Sequence, residues 1–375
     1  MNIKYITLVA VLVCSTMQIQ AGNPDRAGAA GATHLLINPW ARSSGWGTNT
    51  GGVKGIESSF FNIAGMANTK STELIFNRCN LFQGTGMSIN TLGFSQHVGN
   101  KDEGGVMGLV INSFGSGDIP ITTVDQPGGG LGSYNFNSLD FGLAYSKNFS
   151  DAISGGMMAK MVSSGISNVR ASGLAIDAGV QYGTSSISSA KDSTGRLGKI
   201  KKLKGNDTKF GISIKNVGPD LSYGGDGLSF RGIPDNGTYP QTVEQRSSGV
   251  NLPSQVNIGG SYDFRLDKGS ETYYQRLTLG LNYTSNSFTN DQIGIGVEYG
   301  YKDFFMLRGG YTYEKDINDP VLTRTAFTGL NGGFTIEMPI GKNKSSLALD
   351  YSYRFTNVWG GCHTFGARIN LGSSD

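Results

Sequence analysis

Side chains that could carry out acid–base, nucleophilic or metal chemistry are few in this sequence, and they form no recognisable catalytic pattern. The three histidines, His34, His97 and His363, do not have the spacing of metal ligands. The acidic run from Asp316 to Asp319 lacks the glycine and the terminal glutamate of a calcium loop. The sequence contains no G-x-S-x-G nucleophile elbow. We therefore predict no enzyme activity, no bound metal and no cofactor.

The composition is that of a large all-β protein. Glycine accounts for 57 of the 375 residues, only 16% of the residues are charged, and there are 19 phenylalanines and 16 tyrosines. The usual glycine content is ~7%, and the aromatic content is too high for a disordered chain. A net charge of +3 is too small to indicate a nucleic acid partner. No run of about 18 apolar residues is present to form a membrane-spanning helix.

The N-terminal segment 1–21 is predicted to be a secretory signal peptide. Lys4 supplies the positive charge, an apolar stretch follows it, and Ala21 is a small residue suited to cleavage. A short buried helix and a lipoprotein leader modified at Cys14 are the alternatives. The bulky Val13 stands where a lipoprotein leader needs a small residue. The mature chain is therefore expected to be exported.

The elements that would position any functional group are strands. From about residue 72 onward, large apolar residues alternate with small or polar ones, as in the segment LTLGLNY at 277–283. This pattern predicts that 72–375 forms an antiparallel β-barrel of about fourteen strands. The predicted strands are 72–82, 86–98, 104–114, 137–149, 152–165, 171–183, 208–216, 254–264, 275–285, 291–301, 304–313, 325–338, 345–355 and 361–371.

The polar face and the tyrosines favour a barrel that spans the outer membrane. Small residues dominate the polar face, and tyrosines such as Tyr145, Tyr182 and Tyr283 recur at strand ends, where a membrane barrel has its aromatic girdle. The alternative is a soluble sandwich or solenoid, in which the apolar face would point into a core. An even strand number places both termini on the periplasmic side, so the long connections 115–136 and 217–253 are expected to be extracellular.

The segment before the first strand, 22–71, is expected to fold into the barrel lumen as a plug. It is rich in tryptophan and phenylalanine, and its apolar residues do not alternate. The residues that we expect to be important in this plug are Leu36, Trp40, Arg42, Trp46, Asn62 and Gly65. Charged residues on the polar faces of strands are expected to hold the plug from the lumenal side, namely Asp177, Asp350, Arg354 and Arg368.

Several ordered segments resemble the PorV/PorQ family of outer-membrane proteins. The segment LLINPWARSSGWG at 35–47 is similar to the family's opening motif, and FNIAGMA at 61–67 is similar to its N-P-A-G-L-A motif. Ile63 replaces the usual proline of that motif. Further similar segments follow in family order at 177–182, 214–219, 252–253, 307–311 and 349–353. The opening is more similar to PorV than to PorQ.

The resemblance implies a fourteen-stranded barrel like that of the FadL fatty acid transporters, located in the outer membrane. It also implies a part in the type IX protein secretion system. The partners would be the translocon barrel, secreted cargo proteins whose C-terminal domains are bound, and outer-membrane lipid. The alternative is a FadL-like channel for small hydrophobic compounds. A channel needs an apolar lumenal pocket, whereas a secretion component needs loops that reach beyond the barrel.

Two loops carry apolar residues that would suit a partner surface. Exposed apolar clusters often mark an interface, although these residues could instead pack on the barrel rim. The candidate partner-binding residues are Ile119, Ile121, Val124, Leu228, Phe230 and Ile233. A basic run at 196–204 is predicted to be either a solvated loop or a docking site for anionic lipid or an acidic partner.

Two cysteines remain in the mature chain. Cys79 lies in the first predicted strand and Cys362 in the last. Closure of a barrel pairs these strands, and both cysteines would then lie near the extracellular end. The sequence leaves open a disulfide that clamps the seam and two separate thiols.

Overall fold

The computed structural model describes residues 22, 24–47, 50–69, 71–99, 104–184, 207–233, 235, 237–266, 275–340 and 345–372. The predicted leader 1–21 and the basic run 196–204 lie outside these residues. Fourteen long strands make up the wall of the molecule. They are β1 (Thr72–Asn80), β2 (Ser88–Val98), β3 (Gly105–Gly115), β4 (Phe136–Asn148), β5 (Ile153–Ile166), β6 (Val169–Gly183), β7 (Asp207–Val217), β8 (Gln255–Arg265), β9 (Gln275–Asn286), β10 (Gln292–Tyr301), β11 (Phe305–Glu314), β12 (Phe327–Ile340), β13 (Ser345–Thr356) and β14 (Cys362–Leu371).

The wall is a closed antiparallel barrel, as predicted. Each strand pairs with its neighbours in the chain, and β1 pairs with β14 from Thr72 opposite Leu371 to Asn80 opposite His363. The observed strand ends lie within two residues of the predicted ones. The alternation of apolar and polar side chains was sufficient for this accuracy, because successive residues of each strand face lipid and the lumen in turn.

The apolar face of the strands points outward. In β1, Leu74 and Phe76 are exposed on the outer surface, whereas Glu73, Ile75 and Asn77 are buried toward the lumen. The same alternation continues around the barrel and produces an outer band of Leu, Ile, Val, Met and aromatic side chains. This band meets the lipid of a membrane barrel. No helix within the described ranges is long and apolar enough to cross a membrane.

The N-terminal segment lies inside the barrel, where it packs on the lumenal side of the wall. It contains one short helix, α1 (Ala41–Trp46), and three 3-10 turns at Thr33–Leu36, Ile56–Ser59 and Ile63–Asn68. Glycines on the wall allow the plug to approach the strand backbones closely. The plug contacts these glycines on at least eight strands, at Gly93, Gly108, Gly156, Gly179, Gly211, Gly259, Gly296 and Gly366.

The two long connections leave the barrel at the same end, which we call the loop end. Between β3 and β4, Ile119–Pro120 pairs with Ser133–Tyr134. Between β7 and β8, Ser229–Gly232 pairs with Gln241–Glu244. The opposite end, which we call the turn end, carries the connections that follow the even-numbered strands.

Cys79 and Cys362 lie near each other at the loop end, and both are free thiols in this structure. Cys79 is opposite Thr364, so Cys362 is its diagonal neighbour and not its direct partner. Diagonal neighbours across antiparallel strands are roughly 7–8 Å apart. Disulfides join Cα atoms that are roughly 4.4–6.8 Å apart. A bond between these cysteines would therefore require the strands to shift.

We expect the two thiols to remain unbonded in the folded protein. The test is to unfold unreduced protein in denaturant, alkylate it, digest it and analyse the peptides by mass spectrometry. We expect separately alkylated peptides for Cys79 and Cys362. A single cross-linked peptide would contradict this prediction and would show that β1 and β14 move from the register seen here.

Candidate functional site

The lumen has an apolar side and a polar side. On the apolar side, formed by β1 to β5, side chains of the wall and the plug make one buried cluster. Its members are Trp40, Ile56, Ile63, Met66, Ile75, Val106, Val110, Ala144 and Met158, with Phe60 packed against them. The lumenal positions of β8 to β12 are instead rich in Asn, Thr, Gln and charged residues. The plug lies between these two surfaces.

A cavity of about 400 Å³ lies in the lumen on the loop-end side of the plug. We call it the outer cavity. On the plug, Leu36, Ile37, Phe60 and Phe61 line it. The polar residues of β8 to β12 that line it are Gln255, Asn257, Asn282, Thr284, Gln292, Thr312, Glu314 and Asn331. The outer cavity therefore has an aromatic and aliphatic surface on one side and an amide-rich surface on the other.

A small pocket of about 40 Å³ adjoins the outer cavity, and its lining is mainly apolar but also includes His34, Asp140 and Lys160. We call it the apolar pocket. Ile37 and Phe60 line both spaces, so these two residues form their common border. Trp40, Val110 and Met158 line the far side of the pocket. An apolar surface thus runs from the outer cavity into the apolar side of the lumen.

Lys215 is the principal charged group at this border, and it also lines both spaces. Its Nζ lies 3.8 Å from the centroid of the Phe60 ring, which is a cation–π contact. Nearby, Lys160 Nζ is 2.8 Å from Asp177 Oδ2 and also donates to Asn216 Oδ1. These buried polar groups tie β5, β6 and β7 together beside the apolar pocket.

A second cavity, of about 300 Å³, lies on the turn-end side of the plug. We call it the inner cavity. It is highly charged, with four basic and four acidic side chains in its lining. They are Arg42, Lys54, Lys209 and Arg276, and Glu57, Asp263, Glu298 and Asp303. This cavity is suited to water and ions because a charged lining favours polar contents over apolar ones.

Glu298 is at the centre of the charge network that holds the plug. Its side chain is completely buried and contacts three arginines. Arg276 Nη2 lies 2.8 Å from Glu298 Oε1, Arg308 Nε donates to Oε2, and Arg42 Nη2 from the plug lies 3.9 Å from Oε2. Arg42 also lies 3.4 Å from Glu57 within the plug. The network therefore joins β9, β10 and β11 to α1.

Asn62 and Gly65 position the turn at the opposite edge of the plug. Asn62 accepts a hydrogen bond from Ala64 N at 3.2 Å, and its amide donates to Val180 O of β6 at 2.9 Å. A Cβ on Gly65 would lie 2.9 Å from Ser58 Cβ and would clash with Val53 O. Asn62 still caps this turn although Ile63 follows it where the resembling family has proline.

The structure separates the two groups of predicted site residues. Leu36, Trp40, Arg42, Trp46, Asn62 and Gly65 all belong to the plug inside the barrel. Of the loop residues, Ile119, Ile121, Val124, Phe230 and Ile233 are exposed and Leu228 is half-buried. The lumenal charges lie where they were expected, and Arg354 Nη2 reaches Asn38 O of the plug at 3.4 Å.

The sequence analysis missed Phe60, Lys215, Glu298 and Arg308 as functional candidates. Glu298 and Arg308 occupy lumenal positions in their strands, and this periodicity was the available signal. Their mutual contact becomes evident only from the pairing of β10 with β11. Across the described residues, no three His, Cys, Asp or Glu side chains are grouped to hold a metal ion.

Comparison with known proteins supports the fold. No protein-family model and no curated protein matches this sequence. Among solved structures, the CymD monoaromatic hydrocarbon channel has a TM-score of 0.52 at 12% identity, covering 90% of this chain and 98% of the other. The toluene transporter TodX of Pseudomonas putida has a TM-score of 0.50 at 10% identity, covering 89% and 97%.

A FadL homologue from Pseudomonas aeruginosa is also similar, with a TM-score of 0.47 at 12% identity over 88% of this chain and 97% of the other. The likeness to CymD and TodX shows that the chain has the fold of these barrels, with a closed antiparallel wall of fourteen long strands. At sequence identities of 10% and 12%, the likeness shows only the fold. The function of the barrel therefore has to be argued from the residues that line its lumen.

Proposed function

We propose that this protein is an outer-membrane channel for the uptake of a small, predominantly hydrophobic compound, and that the plug controls passage through the barrel. The observation that carries this proposal is the outer cavity of about 400 Å³, in which Ile37, Phe60 and Phe61 form an apolar surface continuous with the apolar pocket. A volume in the range of roughly 300–1,000 Å³ is typical of sites for small molecules. The similar barrels described as hydrocarbon and toluene channels support the same class of solute.

The physical basis of uptake is transfer of apolar surface out of water. A compound that enters from the loop end would be desolvated where it packs on Phe60 and Phe61. The centroids of these two rings are 5.0 Å apart, and the rings are perpendicular to each other. Burial of apolar surface contributes roughly 25 cal/mol per Å². Onward movement would follow Ile37 and Trp40 along the apolar side of the lumen, because the opposite surface consists of amides and charges.

The test uses radiolabelled toluene as the probe and cells that produce the intact protein. Phe60→Gln should lower the initial rate of toluene uptake about tenfold, because the amide removes apolar contact worth roughly 1.5 kcal/mol. Phe304→Gln is the matched control, since Phe304 is exposed in a turn outside the lumen. Equal uptake by the wild type, by Phe60→Gln and by cells without the protein would contradict the proposal.

A second candidate function is a component of the type IX secretion system that binds cargo or the translocon. The observation that favours it is the set of apolar loop residues, because Val124 is 98% exposed and Phe230 and Ile233 are 53% and 62% exposed. Residues this apolar and this exposed are suited to a protein interface. They lie at the loop end, beyond the outer cavity.

Replacing Ile119, Ile121 and Phe230 together by Ser should abolish secretion of cargo if the loops bind a partner. Barrel assembly should be unaffected, since these residues lie outside the wall strands. Secreted cargo is quantified in the culture medium, and heat-dependent gel mobility reports the folded barrel. Undiminished secretion by a folded triple variant would exclude this second function.

A further inference from the structure

On the polar side of the lumen, lumen-facing residues of β9, β10 and β11 pair directly across the three strands. We call each set of three paired residues a rung, and three rungs follow one another along the strands. The rung nearest the loop end is Asn282–Gly294–Thr312, and all three residues line the outer cavity. The rung nearest the turn end is Thr278–Glu298–Arg308, and its first two residues line the inner cavity. The rung between them is Gly280–Gly296–Gly310, which has no side chains.

Trp46 of the plug lies over this glycine rung. A Cβ on Gly296 would clash with Trp46 Cδ1 and would lie 2.5 Å from Trp46 Nε1, and one on Gly310 would clash with the Trp46 carbonyl oxygen. Trp46 lines the inner cavity, whereas its neighbours Ser44 and Gly47 line the outer cavity. The indole therefore lies at the boundary between the two cavities.

Unpartnered polar atoms line both sides of this boundary. Within the described residues, Ser44 Oγ, Asn282 Oδ1 and Arg354 Nε at the outer cavity have no hydrogen-bond partner, and neither has Trp46 Nε1 at the inner cavity. Ser44, Trp46 and Asn282 are all at least 95% buried. Buried polar atoms of this kind are normally satisfied by water or a ligand, so the inner cavity and the polar side of the outer cavity are suited to hydrophilic contents.

We infer that the two cavities are the halves of a second, hydrophilic passage, and that the Trp46 side chain is its gate. The passage takes small hydrophilic anions, because the outer cavity is lined by Lys215, Arg324 and Arg354 and by one acidic residue, Glu314. It opens when the indole leaves the glycine rung and turns its N–H toward the solvated inner cavity. This passage shares the outer cavity with the route proposed for hydrophobic uptake, but it leaves that cavity past Trp46 and not through the apolar pocket.

The gate can move without displacement of the plug. Arg42 is held by Glu57 and Glu298, and Ala41 N donates to Asn77 Oδ1 of β1 at 3.1 Å, so the start of α1 is fixed to the wall. Trp46 is the last residue of α1, and Gly47 follows it with a φ of 75°. Trp46, which closes the passage, is therefore at the C-terminal end of α1, whereas Ala41 and Arg42 fix the N-terminal end.

The test is the ion current through the full-length protein in planar lipid bilayers with KCl as the only solute. Trp46→Ala should increase the mean current at least about tenfold over wild type, because the side chain at the constriction is removed. With a KCl gradient, the reversal potential should show preference for chloride. Trp359→Ala is the matched control and should leave the current unchanged, since Trp359 is 46% exposed in the connection between β13 and β14 and lines neither cavity.

A second pair of variants tests the gate with the tryptophan retained. Gly296→Ala should displace the indole and increase the current, whereas Gly309→Ala should not, because its Cβ would approach no atom closer than 3.9 Å. Heat-dependent gel mobility shows that each variant is folded. Wild-type current in both Trp46→Ala and Gly296→Ala, or a current that prefers potassium, would overturn the inference. Toluene uptake is measured separately, so failure here leaves the proposed function unaffected.

Discussion

Glu298→Gln is expected to destabilise the barrel and to detach the plug from the wall. The substitution keeps the size of the side chain but leaves Arg42, Arg276 and Arg308 without their shared buried carboxylate. Removing one partner of a buried ion pair costs about 3–5 kcal/mol. The measurement is the midpoint of urea-induced unfolding in detergent, together with the rate of trypsin cleavage after Arg42 in the folded barrel.

Asp303→Asn is the matched control for this substitution. Asp303 also contacts Arg276, at 3.7 Å, but its side chain is 80% exposed. An exposed ion pair contributes less than about 1 kcal/mol, so the urea midpoint should shift little and Arg42 should remain protected. Equal effects of the two substitutions would contradict the central position of Glu298 in the network.

Deletion of 23–69 is expected to convert the barrel into an open pore. A barrel of eight strands is filled by its own side chains and one of 16–18 strands leaves an aqueous channel, so a lumen of fourteen strands needs a filling segment. The deletion variant should pass sucrose into liposomes rapidly in a swelling assay, and the wild type should not. A deletion variant that folds and stays impermeable would show that something other than this segment closes the lumen.

The strands could be predicted well from the sequence because each strand has lipid on one face and the barrel lumen on the other. A side chain in the wall faces either lipid or the lumen, so the alternation of Leu74 and Phe76 with Glu73 and Asn77 defines both the strand and its faces. The plug was predictable for a related reason, since Trp40 and Trp46 require burial and precede the first strand.

The lumen could not be predicted to the same degree because its contacts depend on register between strands and on the path of the plug. Glu298 and Arg308 are ten residues apart in the chain, and only the ladder between β10 and β11 places them opposite each other. The glycine rung is similarly distributed over three strands. Cys79 and Cys362 show the same limit, because the sequence predicted the strand pair but not the diagonal offset.

The resemblance to the secretion family and the structural comparisons agree on the barrel, but they suggest different roles. The location of the binding surface distinguishes the two roles. Phe60 and Ile37 line a cavity inside the barrel, whereas Val124 and Phe230 lie on exposed loops. A ligand bound in the lumen would favour uptake of a hydrophobic compound, and a protein bound to the loops would favour secretion.

The most direct test of hydrophobic uptake is a crystal structure of the intact protein soaked with bromobenzene, which is similar to toluene in size. Anomalous scattering locates the bromine without prior assumptions. We expect a bromine peak in the outer cavity, in contact with Ile37, Phe60 and Phe61. Bromine peaks confined to the lipid-facing surface, with none in the lumen at saturating bromobenzene, would contradict the proposed function.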